Sequence, residues 1–280
     1  MLKNLIRPPF CYIGAKTKLL EWIYSFFPEH TTFVDVFGGT GVVTFNKIPS
    51  KNDVYNDINS RIVNFYAVLR DEYMCAMLRD LIALTPFART ELKRSAEPTS
   101  DPVEDARRFY VQNNMSFSGN GQVDSFRVAK SESTKKDYFI KFYRTRTWKE
   151  PGGVLERIKN ITFENLPFER MFKNYDETTT LFYCDPPYIN TADYKDQGVE
   201  YTEEDHKRLI ECLLNIKGMA IMSNYENELN KPLLDAGWRL EKKDFRCTLS
   251  NNRLAEGRDS RRVECLYLSP RVVEKNNFLF

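Results

Sequence analysis

Residues 31–46 read TTFVDVFGGTGVVTFN. β-branched and aromatic side chains run as far as Phe37, three glycines follow at 38, 39 and 41, and an apolar run resumes at Val42. The first part suits a buried strand, the glycines a turn, and the last part the start of a helix. Glycines placed directly after a strand let a ligand approach the backbone at a helix N-terminus. Their spacing is not G-x-G-x-x-G, which disfavours a dinucleotide.

Moving outward, KTKLLEWIYSFF (16–27) has apolar residues at helical spacing, and DVYND (53–57) is a second short strand ending at Asp57. An acid at the end of a second strand is well placed to accept hydrogen bonds from ribose hydroxyls. Residues 60–84 are strongly helical in pattern. From residue 152 the alternation continues: helix 153–159, strand 161–165, helix 167–174, strand 179–184, helix 203–214, strand 219–223, helix 228–236, and strands near 239–245 and 263–269. Thr202 and Asp205 form a capping pair for the 203 helix. This alternation predicts an α/β fold, a parallel or mixed sheet with helices on both faces. Residues 87–150 break the pattern and read as an insert.

The strand at 179–184 runs into a second unusual stretch, TLFYCDPPYIN at 180–190. Two successive prolines fix two φ angles and remove two N–H donors directly after Asp185. Alone, this is also what a strand followed by a rigid loop looks like. In open α/β sheets, however, ligands bind beyond the carboxyl ends of the strands. Three such ends here carry notable chemistry: the glycine loop, Asp57 and Asp185.

The 280 residues, 42% hydrophobic, suffice for one large domain or a domain with an insert. Charged residues make up 29% with a net charge of only +2, which argues against a disordered chain. No apolar run is long enough to span a membrane, and MLKNLIRPPF lacks a signal-peptide core. The six cysteines include no C-x-x-C pair, which argues against disulfides and zinc and fits a reducing cytoplasm. Only His30 and His206 are present, so histidine metal sites and Ser-His-Asp catalysis are disfavoured. His206, in TEEDHKRL, is expected on an exposed helix face. Residues 87–150 hold 13 Lys+Arg against 9 Asp+Glu, and residues 239–262 hold 8 against 4, leaving the remainder at −6. Two basic segments on an acidic remainder are what a localised phosphate-binding face looks like, although ordinary solvated charge gives the same count.

DPPY at 185–188, FVDVFGGTG at 33–41, NDIN at 56–59 and YIGAKTKLL at 12–20 together resemble the Dam-type DNA adenine-N6 methyltransferases, in order and over nearly the whole chain. The resemblance implies a Rossmann-like S-adenosylmethionine-dependent methyltransferase sheet formed by 1–86 and 151–280. The insert, 87–150, would be a mainly helical DNA-recognition domain. It implies S-adenosylmethionine as methyl donor, no metal, duplex DNA as substrate, a bacterial or phage setting, and possible pairing with a restriction endonuclease acting separately. By the same resemblance Tyr12, Lys16, Asp35, Phe37, Gly39, Gly41, Asp57, Asn165, Leu166 and Asp185 would bind the cofactor, with Lys16 suited to its carboxylate. Asp185, Pro186, Pro187 and Tyr188 would be catalytic. Asp185 and the Pro186 carbonyl would accept the two N6 hydrogens of a flipped adenine, and Tyr188 would stack on the base.

RRFYVQNNMSFSGNGQ resembles the family's DNA-reading segment, with Asn113 as reader and Phe117 as intercalating aromatic. Gln122 and Cys11 occupy positions where relatives that methylate GATC carry basic residues. Phosphate contacts would come from Arg107, Arg108, Arg127, Arg258, Arg261 and Arg262. Two other readings stay open on the sequence: an RNA adenine-N6 methyltransferase, and a DNA-binding relative without catalysis.

Overall fold

A seven-stranded sheet in the order β3-β2-β1-β4-β5-β7-β6 organises the chain. The computed structural model describes residues 5–12, 14, 16–119, 121–129, 131–149, 153–189, 200–246 and 261–277. The strands are β1 (Thr32–Asp35), β2 (Asn52–Asn56), β3 (Ile161–Glu164), β4 (Thr180–Cys184), β5 (Met219–Asn224), β6 (Arg239–Arg246) and β7 (Arg261–Leu268). The first five run parallel, and β7 is antiparallel to both β5 and β6. Every residue of β4 and β5 is buried, as expected for strands covered by helices on both faces.

Chain order turns back on itself between β1 and β4, which opens a crevice beyond their carboxyl ends. Asp35 pairs in register with Tyr55 on one side and Tyr183 on the other. Asp57 and Asp185 lie two residues beyond those partners, so the three acids share one edge of the sheet.

Around the sheet lie α1 (Leu20–Tyr24), α2 (Val42–Asn46), α3 (Ser60–Arg70), α4 (Glu72–Leu84), α5 (Arg89–Arg94), α6 (Pro102–Met115), α7 (Glu132–Phe142), α8 (Val154–Arg157), α9 (Phe168–Tyr175), α10 (Glu203–Asn215), α11 (Lys231–Asp235) and α12 (Pro270–Asn277). The single helix expected over 60–84 is two. Asp71 adopts an extended conformation and its carboxylate caps α4 by accepting from the Met74 N–H, so the local cap overrides a continuous apolar pattern. Thr202 and Asp205 do form the expected capping box at α10. His206 is not on an exposed face. It is fully buried, with Nε2 2.7 Å from Asn230 Oδ1 and Nδ1 3.1 Å from the Tyr201 hydroxyl. Its buried neighbours Leu209, Ile210 and Leu213 mark the inward face of the helix, to which it belongs.

Residues 89–142 are mainly helical. Val103, Ala106, Phe109 and Tyr110 of α6 share one apolar cluster with Phe65, Tyr66 and Leu69 of α3 and Leu78 and Ile82 of α4. Asp105 on α6 also binds Arg61 Nε at 2.9 Å and Asn64 Nδ2 at 3.0 Å on α3. The helical layer is thereby fixed against the helices that follow β2.

Candidate active site

A cavity of about 470 Å³ opens at the carboxyl edge of β1, β2 and β4, lined by residues that include Tyr12, Lys16, Asp35, Asp57, Leu166 and Asp185. Its floor is the glycine loop. Gly39 (φ +51°) and Gly41 (φ +68°) hold left-handed backbone that glycine adopts without strain. A side chain at Gly41 would also strike the Phe45 ring, and one at Gly38 the Tyr55 ring, so both are required by close approach. Tyr12 packs over Gly39 and lines the cavity from the N-terminal segment.

Asp57 is held rigidly: Oδ2 accepts from the Gly39 N–H at 2.9 Å and Oδ1 from the Asn59 N–H at 2.8 Å. Burial nevertheless pushes its carboxyl up to about 6. Asp35 is more extreme. Its Oδ2 accepts from Thr44 Oγ1 at 2.6 Å, while its buried Oδ1 has no partner among the described residues. Burial pushes this carboxyl up to about 7. An unmet, buried carboxylate oxygen at a cavity wall is suited to a cationic ligand.

Asp185 is also pushed up to about 6, mainly by burial and against the pull of Lys16. Lys16 Nζ lies 2.9 Å from Asp185 Oδ1, 2.8 Å from the Tyr188 hydroxyl and 3.3 Å from Glu264 Oε1. Tyr188 also hydrogen-bonds Glu264, and lies 3.2 Å from Asp185 Oδ1 and 3.1 Å from Ser223 Oγ. The lysine expected to meet a ligand carboxylate is thus engaged with the acid of the Asp-Pro-Pro-Tyr run. Tyr188 has its hydroxyl tied under the sheet edge and its ring edge-on to Tyr225, with centroids 4.5 Å apart.

Of the other expected cofactor residues, Phe37 and Leu166 line the cavity. Phe37 stands 5.8 Å from Phe168 and 6.1 Å from Tyr201, centroid to centroid, so three aromatic rings flank that end. Asn165 does something else. Its Nδ2 donates to the carbonyls of Asp57 at 2.7 Å and Ile58 at 3.1 Å, fastening the Asp57 loop to the end of β3.

The expected DNA-facing residues divide. Phe117 is half exposed and Gln122 is exposed. Arg127 donates through Nε to the Ser116 carbonyl at 2.6 Å and stands over the Tyr138 ring. Gly119 (φ +71°) sets the loop after Phe117 directly against Cys11, which leaves no room for a side chain there. Asn113 instead is 3% exposed and donates to the Phe109 carbonyl within its own helix, 2.9 Å away. Arg107 bonds Glu104, Glu91 and Thr85, and Arg108 bonds Glu104 and the Glu97 carbonyl. These three are turned inward, because α6 is packed against α3, α4 and α5 on most of its circumference. Arg258 and the side chains of Arg261 and Arg262 lie outside the described residues.

Glu264 was missed. Strand alternation places it on the same face as Leu266 and Leu268, both fully buried, and an acid on such a face is a signal. The signal is weak because Cys265 and Tyr267 on the other face are buried too.

Residues 12–247 match the family described as D12 class N6 adenine-specific DNA methyltransferase. The modification methylase StsI of Streptococcus sanguinis is 44% identical over 214 residues, which cover 69% of this chain and 30% of that protein. The type II methyltransferase M.CviBI of Paramecium bursaria Chlorella virus NC1A is 22% identical over 260 residues, covering 90% of this chain and 95% of that one. A DNA adenine methylase of Vibrio cholerae is 23% identical over 256 residues, covering 86% and 89%. The chain therefore spans nearly all of some relatives and about a third of StsI. With acids at three strand ends around one cavity and a family match across most of its length, the chain belongs to the D12 class of N6 adenine-specific DNA methyltransferases.

Proposed function

We propose that the protein transfers a methyl group from S-adenosylmethionine to N6 of an adenine flipped out of duplex DNA. The observation that carries this reading is Asp185, at the end of β4, lining the same cavity as Asp35 and Asp57. The cavity fits the cofactor in charge as well as place. Asp35, Asp57 and Asp185 are among the carboxylates that line it, and Asp35 has a buried oxygen without a partner among the described residues. Asp35 would face a positive group, Asp57 the ribose hydroxyls, and Phe37, Phe168 and Leu166 an aromatic base. When bound, S-adenosylmethionine supplies an electrophilic methyl group on a sulfonium.

The chain's own part is positioning and electrostatics. The N6 lone pair of adenine is delocalised into its ring, which makes the amine a poor nucleophile. Asp185 accepts one N6 hydrogen. The Pro186 carbonyl, followed by a residue without an N–H, accepts the other. Two acceptors off the ring plane favour a more tetrahedral nitrogen, and the prolines keep them still.

The division of labour we propose is residues 1–86 and 151–280 for catalysis and 87–150 for target recognition. Phe117, exposed on the loop after α6, would fill the gap left by the flipped base. The names of the relatives, type II methyltransferases and a modification methylase, support a restriction-modification setting with a separate endonuclease. No described helix is long and apolar enough to cross a membrane.

Labelled S-adenosylmethionine offered with duplex DNA and, separately, RNA tests the reading. Label on adenine N6 of DNA is expected; label on RNA alone, or none, overturns it. The target we propose is a short site other than GATC, or a relaxed version of it. Arg or Lys is the usual bidentate reader of guanine, and Cys11 and Gln122 stand where such readers are expected. Digestion of methylated plasmid with GATC enzymes of different methyl sensitivity decides this, and complete protection at GATC alone would refute it.

A further inference from the structure

Glu264 is 3% exposed, on β7, and three partners converge on its Oε1: Ser223 Oγ at 2.7 Å, Lys16 Nζ at 3.3 Å, and the Tyr188 hydroxyl. A carboxylate so buried is unfavourable unless it is paired and hydrogen-bonded. Lys16 and Tyr188 are also the two side chains that meet Asp185, and among the described residues both meet its Oδ1. Two acids thus share one ammonium and one phenol. With both ionised, the cluster of Lys16, Asp185 and Glu264 carries a net charge of −1.

We propose that Glu264 is a positioning residue for Asp185. By anchoring Lys16 and Tyr188 from β7, it keeps Asp185 Oδ1 saturated and leaves Oδ2 as the single oriented acceptor for the substrate amine. Ser223, on β5, fixes Glu264 in turn. The inference rests on the reading of Asp185 as the N6 acceptor.

The arrangement also couples the two acids electrostatically. Lys16 and Tyr188 favour the ionised form of Asp185, while burial and Glu264 oppose it. Asp35, at the end of the neighbouring β1, and Tyr183 and Cys184, on β4 itself, also interact electrostatically with the same carboxylate. Removing the Glu264 charge leaves Lys16 to Asp185 alone.

The test compares pH–rate profiles of the wild type, Glu264→Gln and Glu264→Asp on duplex DNA, with Asp185→Asn as reference. Asp185 is the stronger acceptor when ionised, so the rate falls as pH drops through its titration. Gln keeps the size and the hydrogen bonds but not the charge. Its acid limb is expected to move to lower pH by about one unit. Asp keeps the charge on a shorter arm, so its limb is expected to stay in place while kcat falls about fivefold or more. An unmoved limb in Glu264→Gln, or the same displacement in both variants, overturns the proposal. Should Glu264→Gln not fold, Glu264→Asp decides alone, and a wild-type kcat overturns it. A wild type that leaves adenine N6 unmethylated, or an active Asp185→Asn, removes the underlying reading instead.

Discussion

The carboxyl edge of the parallel strands and the helical layer of residues 87–149 use charge in opposite ways. At the edge, Asp35, Asp57 and Asp185 sit in a cavity with carboxyls pushed up to about 7, 6 and 6 by burial. Asp35 retains an oxygen that nothing meets among the described residues. In the helical layer, Arg107 reaches Glu104 and Glu91, and Arg108 reaches Glu104. The Arg107 hydrogen bond, with Arg108 behind it, holds the Glu104 carboxyl down to about 2. Acids that burial destabilises in the free fold suit a ligand site, and acids held down by neighbouring arginines suit a scaffold. The strand edge is the first kind and α6 the second.

The largest expected effect breaks the edge. Asp185→Ala removes an acceptor preorganised for the amine, and kcat should fall by more than about 10²-fold. Activity within tenfold of the wild type would remove Asp185 from the mechanism. The pH dependence carries the same sign. The carboxyl is raised to about 6 and is the stronger acceptor when ionised, so the wild-type rate should fall as pH is lowered through that value.

Asp35→Asn sharpens the comparison by separating binding from stability. Losing the unmet carboxylate should weaken S-adenosylmethionine binding by about tenfold, measured by calorimetry. Because the folded-state pKa lies above the usual value, ionisation of Asp35 costs the free fold stability as pH rises from about 4 through 7. The Asn variant has no charge to bury, so without ligand it should unfold about 1–2 kcal/mol higher at pH 8. A variant that is both weaker in binding and less stable would show Asp35 to be scaffold.

How much was legible follows the same division. The strand ends could be read because they depend on short local signals: β-branched runs, glycines, and an acid before two prolines. The glycine loop, Asp57 and Asp185 lie on one edge as those signals imply, and the fold is α/β with a mixed sheet as the alternation implies. Side-chain commitments were not legible. RRF at 107–109 looks like a basic patch whether its arginines face water or, as here, Glu104 and Glu91. Asn165 and His206 are likewise spent on tertiary partners, the Asp57 loop and Asn230, that no local pattern announces. Glu264 is seventy-nine residues from Asp185 and, among the described residues, meets it through Lys16 and Tyr188.

Phe117 is the place where the helical layer should behave like the edge. It is half exposed, and its backbone is pinned by a hydrogen bond from its N–H to the Ser125 carbonyl at 2.6 Å. Phe117→Ala should lower kcat/KM by about fivefold on a paired target, since unstacking costs a few kcal/mol that the ring helps to offset. The loss should shrink when the target adenine faces a mismatch, where less pairing must be broken. An equal loss on both substrates would assign the ring to packing alone.

The smallest expected effect separates two arginines of the same basic segment. Arg107 lies between Glu104, Glu91 and Thr85 with its side chain 11% exposed, so Arg107→Ala takes the shared cation from two partly buried acids and leaves Glu104 to Arg108 and Glu91 to Arg94. That should cost about 1–2 kcal/mol in unfolding free energy, between the values for exposed and fully buried pairs, and leave DNA binding unchanged in its salt dependence. Arg127 makes one hydrogen bond to the Ser116 carbonyl and lies over Tyr138, on the loop that carries Phe117. Its remaining guanidinium donors are then free in chemistry, if not in place, to meet a phosphate. Arg127→Ala should leave the melting temperature nearly unchanged and reduce the slope of log K against log salt by about 1. If instead Arg107→Ala flattens the slope, α6 must turn its inward charges toward DNA on binding, and the division between met and unmet charge would hold only for the free enzyme.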